Sequence, residues 1–525
     1  MIQAALAAQL ILLVSASAAA AYVLGYYLLA GLIAPPHGSR LLAAVDALPR
    51  ALLGEVYDRE MGWHEYFASL LYLNAAAAAL GALVLALQPW TGGRSLSPDL
   101  IFNIVTSFIT NTDLQHYAGS YLTAYSQMFA ITYMMFVAPA TGLSASMAFI
   151  RGLARRSPSL GNFYSDFFRS TILVLLPLAF ASAIALMAAG VPQVLGSAAL
   201  PGGARLGPVA SLESIKLLGN NGGGYYAANS AYPLENPSEL TNIFESFLML
   251  LLPLSLPISY GRLVGMRRGL SLLGAMMAGM LILLALALWG GAGQGVPPRI
   301  GPFGALVFNS ISMATDTGAV ASGLASMSPL AITSFLMAMF IQAVPGAVGA
   351  GFMYMMVFVI ITIFILGLMV GKTPEMMGMK ISPRDVKLSA AAFLVHPLII
   401  LLPVVAAFAT GQAQHLLGRP GPLEFTEVLY EFTSAAANNG SDYLGLMANA
   451  PFWNYLTGAV MLVGRYLPLA LMLALAGSFS SKERRRMPEP IETQGALFSS
   501  LLIIMVFLLA VLTFFPFLVI GPMSM

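Results

Sequence analysis

Four times along this chain of 525 residues, a stretch opening on proline and about one short helix long runs into a polar turn, flanked by apolar segments long enough to cross a bilayer. The turns read Thr110-Asn111-Thr112-Asp113, Asn220-Asn221-Gly222-Gly223-Gly224, Thr315-Asp316-Thr317-Gly318 and Asn438-Asn439-Gly440-Ser441. Their helices are expected to begin at Pro98, Pro208, Pro302 and Pro422, because proline's fixed φ and missing N–H suit a helix's first residue. From each proline to the central turn residue (Thr112, Gly222, Gly318, Gly440) the offsets are 14, 14, 16 and 18 residues. Isolated surface turns would not keep so regular a spacing. Non-helical backbone at membrane depth is tolerated only where protein encloses it or it lines a water-filled path, so the four turns should meet around one axis.

The solvent is set by composition: 58% hydrophobic and 9% charged residues, with a mean hydropathy of +0.82, leave too few charges to coat a soluble globule. Apolar segments of spanning length lie near 3 to 34, 61 to 88, 119 to 150, 168 to 190, 241 to 262, 268 to 292, 330 to 370, 386 to 410, 451 to 478 and 495 to 520. The expected fold is an all-α polytopic membrane protein: ten transmembrane helices, with four helix, pore loop, helix repeats in pseudo-fourfold arrangement around a central selectivity filter. Residues 1 to 60 hold an extra helix and a loop. The repeats follow as 61 to 150 (pore loop 97 to 117), 151 to 262 (207 to 230), 263 to 385 (301 to 322, broken helix 330 to 370) and 386 to 480 (421 to 443), and 481 to 525 supply a final helix. The first apolar run has no basic stretch before it and reads as a retained span. With no cysteine, disulfides, Cys-zinc sites and thiol catalysis are excluded. A net charge of +2, spread over short loops, gives no sign of a nucleic-acid partner.

Charge placement predicts the orientation. Arg40, Arg50 and Arg59, then Arg151, Arg155, Arg156 and Arg169, Arg262, Arg267 and Arg268, Lys372, Lys380, Arg384 and Lys387, and Lys482, Arg484, Arg485 and Arg486 put 18 of the 24 Lys and Arg on one face. By the positive-inside rule that face is cytoplasmic, which leaves both termini and all four pore loops outside. The outer face carries Arg94, Arg205, Lys216, Arg299 and Arg419 beside Asp99, Asp113, Glu213, Glu235, Glu239, Asp316, Glu424, Glu427, Glu431 and Asp442. These acids are expected to form a vestibule that concentrates cations.

A pore helix points its partly negative C-terminal end at its turn, and glycine or a small polar residue lets backbone carbonyls face inward. Such oxygens replace an ion's water shell and suit a large monovalent cation such as K⁺, with Na⁺ left open on physical grounds. The strings SFITNTDLQHYAG, LGNNGGGYYAANSAYPLENP, GAVASG, AAANNGSDYLGL and GLMVGKTPEMMGMKI resemble the signature segments of KdpA, the potassium-binding subunit of the Kdp potassium-transporting P-type ATPase, within a superfamily of K⁺ transporters that includes Trk and Ktr. The likeness runs from about residue 1 to 520. It implies that external K⁺ enters this subunit and passes toward a separate ATP-hydrolysing KdpB-like subunit, with KdpC-like and small KdpF-like subunits and membrane lipids as further partners. The setting implied is the plasma (inner) membrane of a prokaryote.

The resemblance implies a K⁺ filter made of Thr110, Asn111 and Thr112, of Asn221, Gly222 and Gly223, of Asp316, Thr317 and Gly318, and of Asn438, Asn439 and Gly440, with Gln115 tied to selectivity. No cofactor is implied besides the transported K⁺. The chain carries neither an Asp-Lys-Thr-Gly-Thr phosphorylation motif nor a GxxxxGK[ST] phosphate loop, so hydrolysis is expected from a partner. The sequence departs from the family pattern at Asp113, where asparagine is common, at Ser120, where glutamate is common, and at Gln342, where an acidic residue often stands; Gln342 puts in doubt any relay needing a carboxylate there. Other readings stay in view: a free-standing Trk- or Ktr-like K⁺ channel or ion-coupled transporter, and a non-conducting membrane scaffold.

Two further features bear on gating. A straight helix over 330 to 370 would be roughly 60 Å long at 1.5 Å per residue, about twice the hydrocarbon core. Pro345, Gly346, Gly349 and Gly351 lie in its middle, compatible with either a packing kink or an unwound break; the resemblance implies a gating loop below the filter. Arg465 is placed inside a span, where charge costs on the order of 3 kcal/mol. It is expected to face the pore or an acidic partner, or to serve as a structural arginine; the resemblance puts it close under the filter. The five histidines, His37, His64, His116, His396 and His415, lie far apart with no HExxH, so a catalytic metal is not expected. Glu235 and Asn236 are read as capping the turn after the second filter, where the resemblance also permits an outer-mouth role, and the Lys482 to Arg486 run as a topology signal or an anionic-lipid contact.

Overall fold

The computed structural model describes residues 2–36, 38–154, 157–199, 205–483 and 491–525. His37, Arg155, Arg156, Arg484, Arg485 and Arg486, and the side chain of Arg205, lie outside the described residues. In hydrocarbon a backbone must satisfy its own hydrogen bonds, so a chain this apolar resolves into helices. Among the described residues ten are long and apolar enough to span: Ala5–Ile33, Trp63–Ala86, Ala124–Ala154, Phe163–Ala188, Glu239–Val264, Met266–Gly290, Ala350–Met369, Pro383–Ala409, Pro451–Ser480 and Ala496–Ile520. Among the described residues strands are confined to two small antiparallel pairs, Gln193–Ala199 with Arg205–Pro208 and Glu375–Met376 with Met379–Lys380.

Four shorter helices, Pro98–Ile109, Val209–Leu218, Gly301–Ala314 and Pro422–Ala437, lie between spans two and three, four and five, six and seven, and eight and nine. Pro98 and Pro422 start their helices, but Pro302 follows Gly301, and Pro208 is an N-cap that ends a strand. Hairpin pairing holds Pro208 opposite Gln193, so the second helix opens one residue later than expected. The seventh expected span is two helices, Pro329–Ile341 and Ala350–Met369, separated by residues 342–349.

The spans form two shells. Of the most apolar window in spans three and five, 72% and 78% is buried, against 28% in spans two and four. Small residues bring backbones together at the crossings: Ser259 Oγ donates to the Gly25 carbonyl at 2.9 Å, and a Cβ on Gly464 would meet the Ala436 carbonyl at the end of the fourth short helix. Ser238 and Thr241 form a reciprocal capping box where span five begins. Near that start, Gln9 Nε2 reaches Glu239 Oε1 at 3.1 Å, and Gly521 abuts Thr426 and Phe425 of the fourth short helix. Gln9 and Gly521 therefore lie on the side from which the short helices enter.

The opposite side carries Arg50, Arg151 and Arg169, with a helix where the sequence predicts a loop. Arg40–Leu53 exposes Leu41, Leu48 and Leu52 and is anchored through buried Asp46, which accepts from Arg169 Nε at 2.9 Å and from the Tyr57 hydroxyl at 2.7 Å. Buried Arg151, at the end of span three, pairs with Asp166, and its Nε donates to the Ile33 carbonyl at 2.9 Å. The Tyr66 hydroxyl lies 2.7 Å from Asp166 Oδ2, so this one pair ties spans one to four. Asp166→Ala leaves Arg151 buried and unpaired, a loss on the order of 3 to 5 kcal/mol. Thermal unfolding of the detergent-purified protein should show a clearly lowered Tm.

Candidate ion-binding site

Each short helix ends in the same way. In each turn one residue returns its N–H to a carbonyl five residues back: Thr112 to Ser107 at 2.9 Å, Asn221 to Lys216 at 2.7 Å, Thr317 to Ser312 at 2.8 Å and Asn439 to Ser434 at 2.9 Å. The residue before it is left-handed in all four, with φ of +65° at Asn111, +51° at Asn220, +45° at Asp316 and +54° at Asn438. Asparagine and aspartate are the non-glycine residues that best tolerate this conformation, which ends a helix and redirects the chain.

This hydrogen bond sets a register that the spacing of sequence motifs missed. Thr112 is equivalent to Asn221, Thr317 and Asn439, so Gly222, Gly318 and Gly440 correspond to Asp113 rather than to Thr112. Asp113 itself adopts φ +58° and is fully buried.

The turns meet at Gly222. A Cβ placed there would lie 2.9 Å from the Thr112 oxygen, 2.9 Å from the Thr317 oxygen and 3.0 Å from the Asn439 oxygen, one from each of the other three turns. Gly223 faces the Asp113 oxygen in the same manner at 2.9 Å, Gly440 faces that of Thr112, and Gly318 that of Asn439. Backbone oxygens from separate segments around one point suit a dehydrated monovalent cation. Thr110, Asn111, Thr112, Asn221, Asp316, Thr317, Asn438 and Asn439 are all buried within this junction.

Side chains stitch the turns side by side. Asn220 Nδ2 donates to Thr317 Oγ1 at 2.9 Å and Asn438 Nδ2 to Thr112 Oγ1 at 2.9 Å. Turns one and three are Thr-x-Thr, with paired hydroxyls 2.7 Å and 2.6 Å apart (Thr110 with Thr112, Thr315 with Thr317), while turns two and four are Asn-Asn-Gly. The alternation lets an asparagine of one turn meet a threonine of the next. Asn111 Nδ2 reaches the Gly219 carbonyl at 3.2 Å, and Gln115 Nε2 reaches the Gly224 carbonyl at 3.0 Å, closing the seam between turns one and two.

The break in the seventh segment runs directly beneath. Gln342, at φ +54°, donates from Nε2 to the Ala437 carbonyl at 3.1 Å; Gly346 N–H reaches the Ala314 carbonyl at 2.8 Å, and Val348 N–H the Asn220 side chain at 3.0 Å. Gly346 and Gln342 thus tie the loop to the ends of the third and fourth short helices. Gly349, at φ +85°, packs on Gly142 of span three, where any side chain would collide with backbone. A small cavity of about 20 Å³ opens below, lined by Asp316, Gln342, Tyr354, Asn438 and Arg465 among others. Arg465 is buried, donates to the Ala138 carbonyl at 2.9 Å and forms no ion pair among the described residues. It lines this cavity together with Asp316, with no acid within ion-pair distance among the described residues.

The expected acidic vestibule is not present in that form. Of the ten acids assigned to the outer face, eight are buried; Glu239 is exposed and Asp442 half-buried. Several are struts. Lys216, fully buried, is 2.7 Å from Glu213 Oε2 and 3.1 Å from Glu235 Oε2, and Glu235 Oε1 accepts the Tyr226 N–H at 2.9 Å. The second short helix is thereby tied to the loop that follows its turn.

The profile of the family described as KdpA, potassium-transporting ATPase A subunit, matches residues 11–525. The potassium-transporting ATPase potassium-binding subunit of Geobacillus kaustophilus (strain HTA426) is 40% identical over 536 residues, covering 95% of each chain. The chain belongs to the KdpA family. The crystal structure of the potassium transporter TrkH from Vibrio parahaemolyticus is similar with a TM-score of 0.51 at 15% identity, over 79% of this chain and 86% of that one, a likeness of fold alone.

In this KdpA-family chain the seams between turns carry no local signature, since their partners lie about a hundred residues or more apart. The alternation of Thr-x-Thr with Asn-Asn-Gly was the available clue. Asn220→Leu removes the bonds to Thr317, Met249 and Val348. At about 1 kcal/mol or more for lost buried bonds, half-saturating K⁺ should rise by about tenfold with a lowered Tm, read by K⁺ titration of the assembled transporter and by thermal melt.

Proposed function

We propose that this chain binds and selects K⁺ at the four turns and passes it to the ATP-hydrolysing subunit of an ATP-driven, high-affinity potassium uptake complex. The observation that carries this reading is the meeting at Gly222 of backbone oxygens from the other three turns. The ion's ligands are the backbone and hydroxyl oxygens of Thr110, Asn111 and Thr112, Asn221, Gly222 and Gly223, Asp316, Thr317 and Gly318, and Asn438, Asn439 and Gly440, with Gln115 guarding the outer mouth. Carbonyl dipoles supply enough field to replace water around a large monovalent ion without fixing it by a formal charge. The loop 342–349, with Pro345, Gly346 and Gly349, gates the exit, and the Arg465 charge on the cavity below limits how many cations collect there.

The relative's name, potassium-binding subunit of a potassium-transporting ATPase, supports partnership with KdpB-, KdpC- and KdpF-like subunits. We place the complex in the cell membrane of a prokaryote with both termini outside, in keeping with the distribution of Lys and Arg. The functional units are 61–150, 151–262, 263–385 and 386–480, flanked by 1–60 and 481–525.

ATP hydrolysis by the complex purified with its partners, titrated with K⁺ against Na⁺, tests the reading. Wild type should be stimulated by K⁺ and not by Na⁺, and Gly222→Asp, which places a side chain among three carbonyl oxygens, should weaken the stimulation or shift its ion preference. No co-purifying ATPase, with K⁺ flux intact in liposomes, would instead establish a free-standing transporter.

A further inference from the structure

We propose that His116, clamped by Glu431 and Asn454, is a positioning residue for K⁺ selection: a buried latch that fixes the first turn against the fourth. This rests on the reading of the four turns as the K⁺ site. His116 follows the first turn, Glu431 lies on the fourth short helix and Asn454 in span nine, and all three are buried. His116 Nε2 is 2.9 Å from Glu431 Oε1 and Nδ1 is 2.9 Å from Asn454 Oδ1.

The amide orientation of Asn454 is set by its other partners. Its Nδ2 donates to Asp99 Oδ2 at 2.7 Å and to Asn449 Oδ1 at 3.1 Å, both acceptors, so Oδ1 faces the ring and accepts from Nδ1. Nε2 faces a carboxylate. The ring therefore meets acceptors on both sides and, with Glu431, forms an imidazolium–carboxylate pair. Asp442, beyond the fourth turn, and Asp99, through Asn454, are the other acids facing the pair.

The latch acts on the residues that shape both turns. Glu431 is three residues before Ser434, on the same helix face. The Ser434 carbonyl accepts Asn439 N–H, and its hydroxyl accepts Gly440 N–H at 2.9 Å. His116 is three residues past Asp113, whose N–H is bonded to the Ser107 carbonyl at 3.1 Å. Between these anchors the Thr112 oxygen touches both Gly222 and Gly440, so a small shift of turn one relative to turn four moves an oxygen facing the ion. A buried ion pair adds little net stability over an apolar replacement; what it gives here is a fixed geometry.

A double-mutant cycle on the whole complex tests this, with K⁺- and Na⁺-stimulated ATP hydrolysis as readout: His116→Ala, Glu431→Ala, both together, and Glu431→Gln. The double variant leaves no charge stranded and should assemble, with maximal rate within about twofold of wild type but half-saturating K⁺ raised about tenfold or more and Na⁺ stimulation emerging. Glu431→Gln, which keeps the shape and the accepting oxygen, should shift half-saturation in the same direction by about threefold; it decides the matter if the alanine variants fail to assemble. Wild-type half-saturation and discrimination in the double variant or in Glu431→Gln, or a loss of rate and Tm with half-saturation unchanged, would overturn the latch. Gly222→Asp run alongside separates the two failures: if it too leaves ion preference unchanged, it is the K⁺ site that has been misplaced.

Discussion

Backbone that leaves the helix at membrane depth has no water to bond, and the architecture follows from satisfying it. Each of the four turns leaves carbonyl oxygens unused by helix bonding. They are enclosed by bringing the turns together, by the returning N–H of Thr112, Asn221, Thr317 and Asn439, and by asparagine and glutamine amides along the seams. The inner spans then serve as walls, and the outer spans shield the walls from lipid.

The same requirement explains where charge is found. Lys216, Glu213 and Glu235 behind the second turn, and His116 and Glu431 between the first and fourth, are out of water and mutually paired. Buried pairs of this kind are costly to make and more costly to break singly, which suits them to hold loops that must not drift. Arg465 differs in having, among the described residues, only the Ala138 carbonyl as its hydrogen-bond partner, leaving much of its positive field on the cavity under the turns.

Much of the fold was legible because hydrophobicity at spanning length and Pro-to-turn spacing both report backbone constraints that act locally. The break at 342–349 was legible for the same reason: a mostly apolar stretch of 41 residues cannot cross a bilayer once as a straight helix, and Pro345, Gly346 and Gly349 offered the place to unwind. What was not legible depended on distant partners. The helix over Arg40–Leu53 needed Arg169 to anchor Asp46. The register of Asp113 against Gly222 emerged only from hydrogen bonds, and the outer acids read as a vestibule until their partners buried them. His116, alone in sequence, is paired with a residue 315 positions away.

The central claim is that one cation sits where the four turns meet. Anomalous scattering from the complex prepared in Tl⁺ in place of K⁺ measures this directly. The account predicts a strong peak within oxygen-contact distance of the Thr112, Thr317 and Asn439 carbonyls beside Gly222, reduced by competing K⁺ and untouched by Na⁺. A peak confined to another place, or an empty junction at saturating Tl⁺, would contradict it.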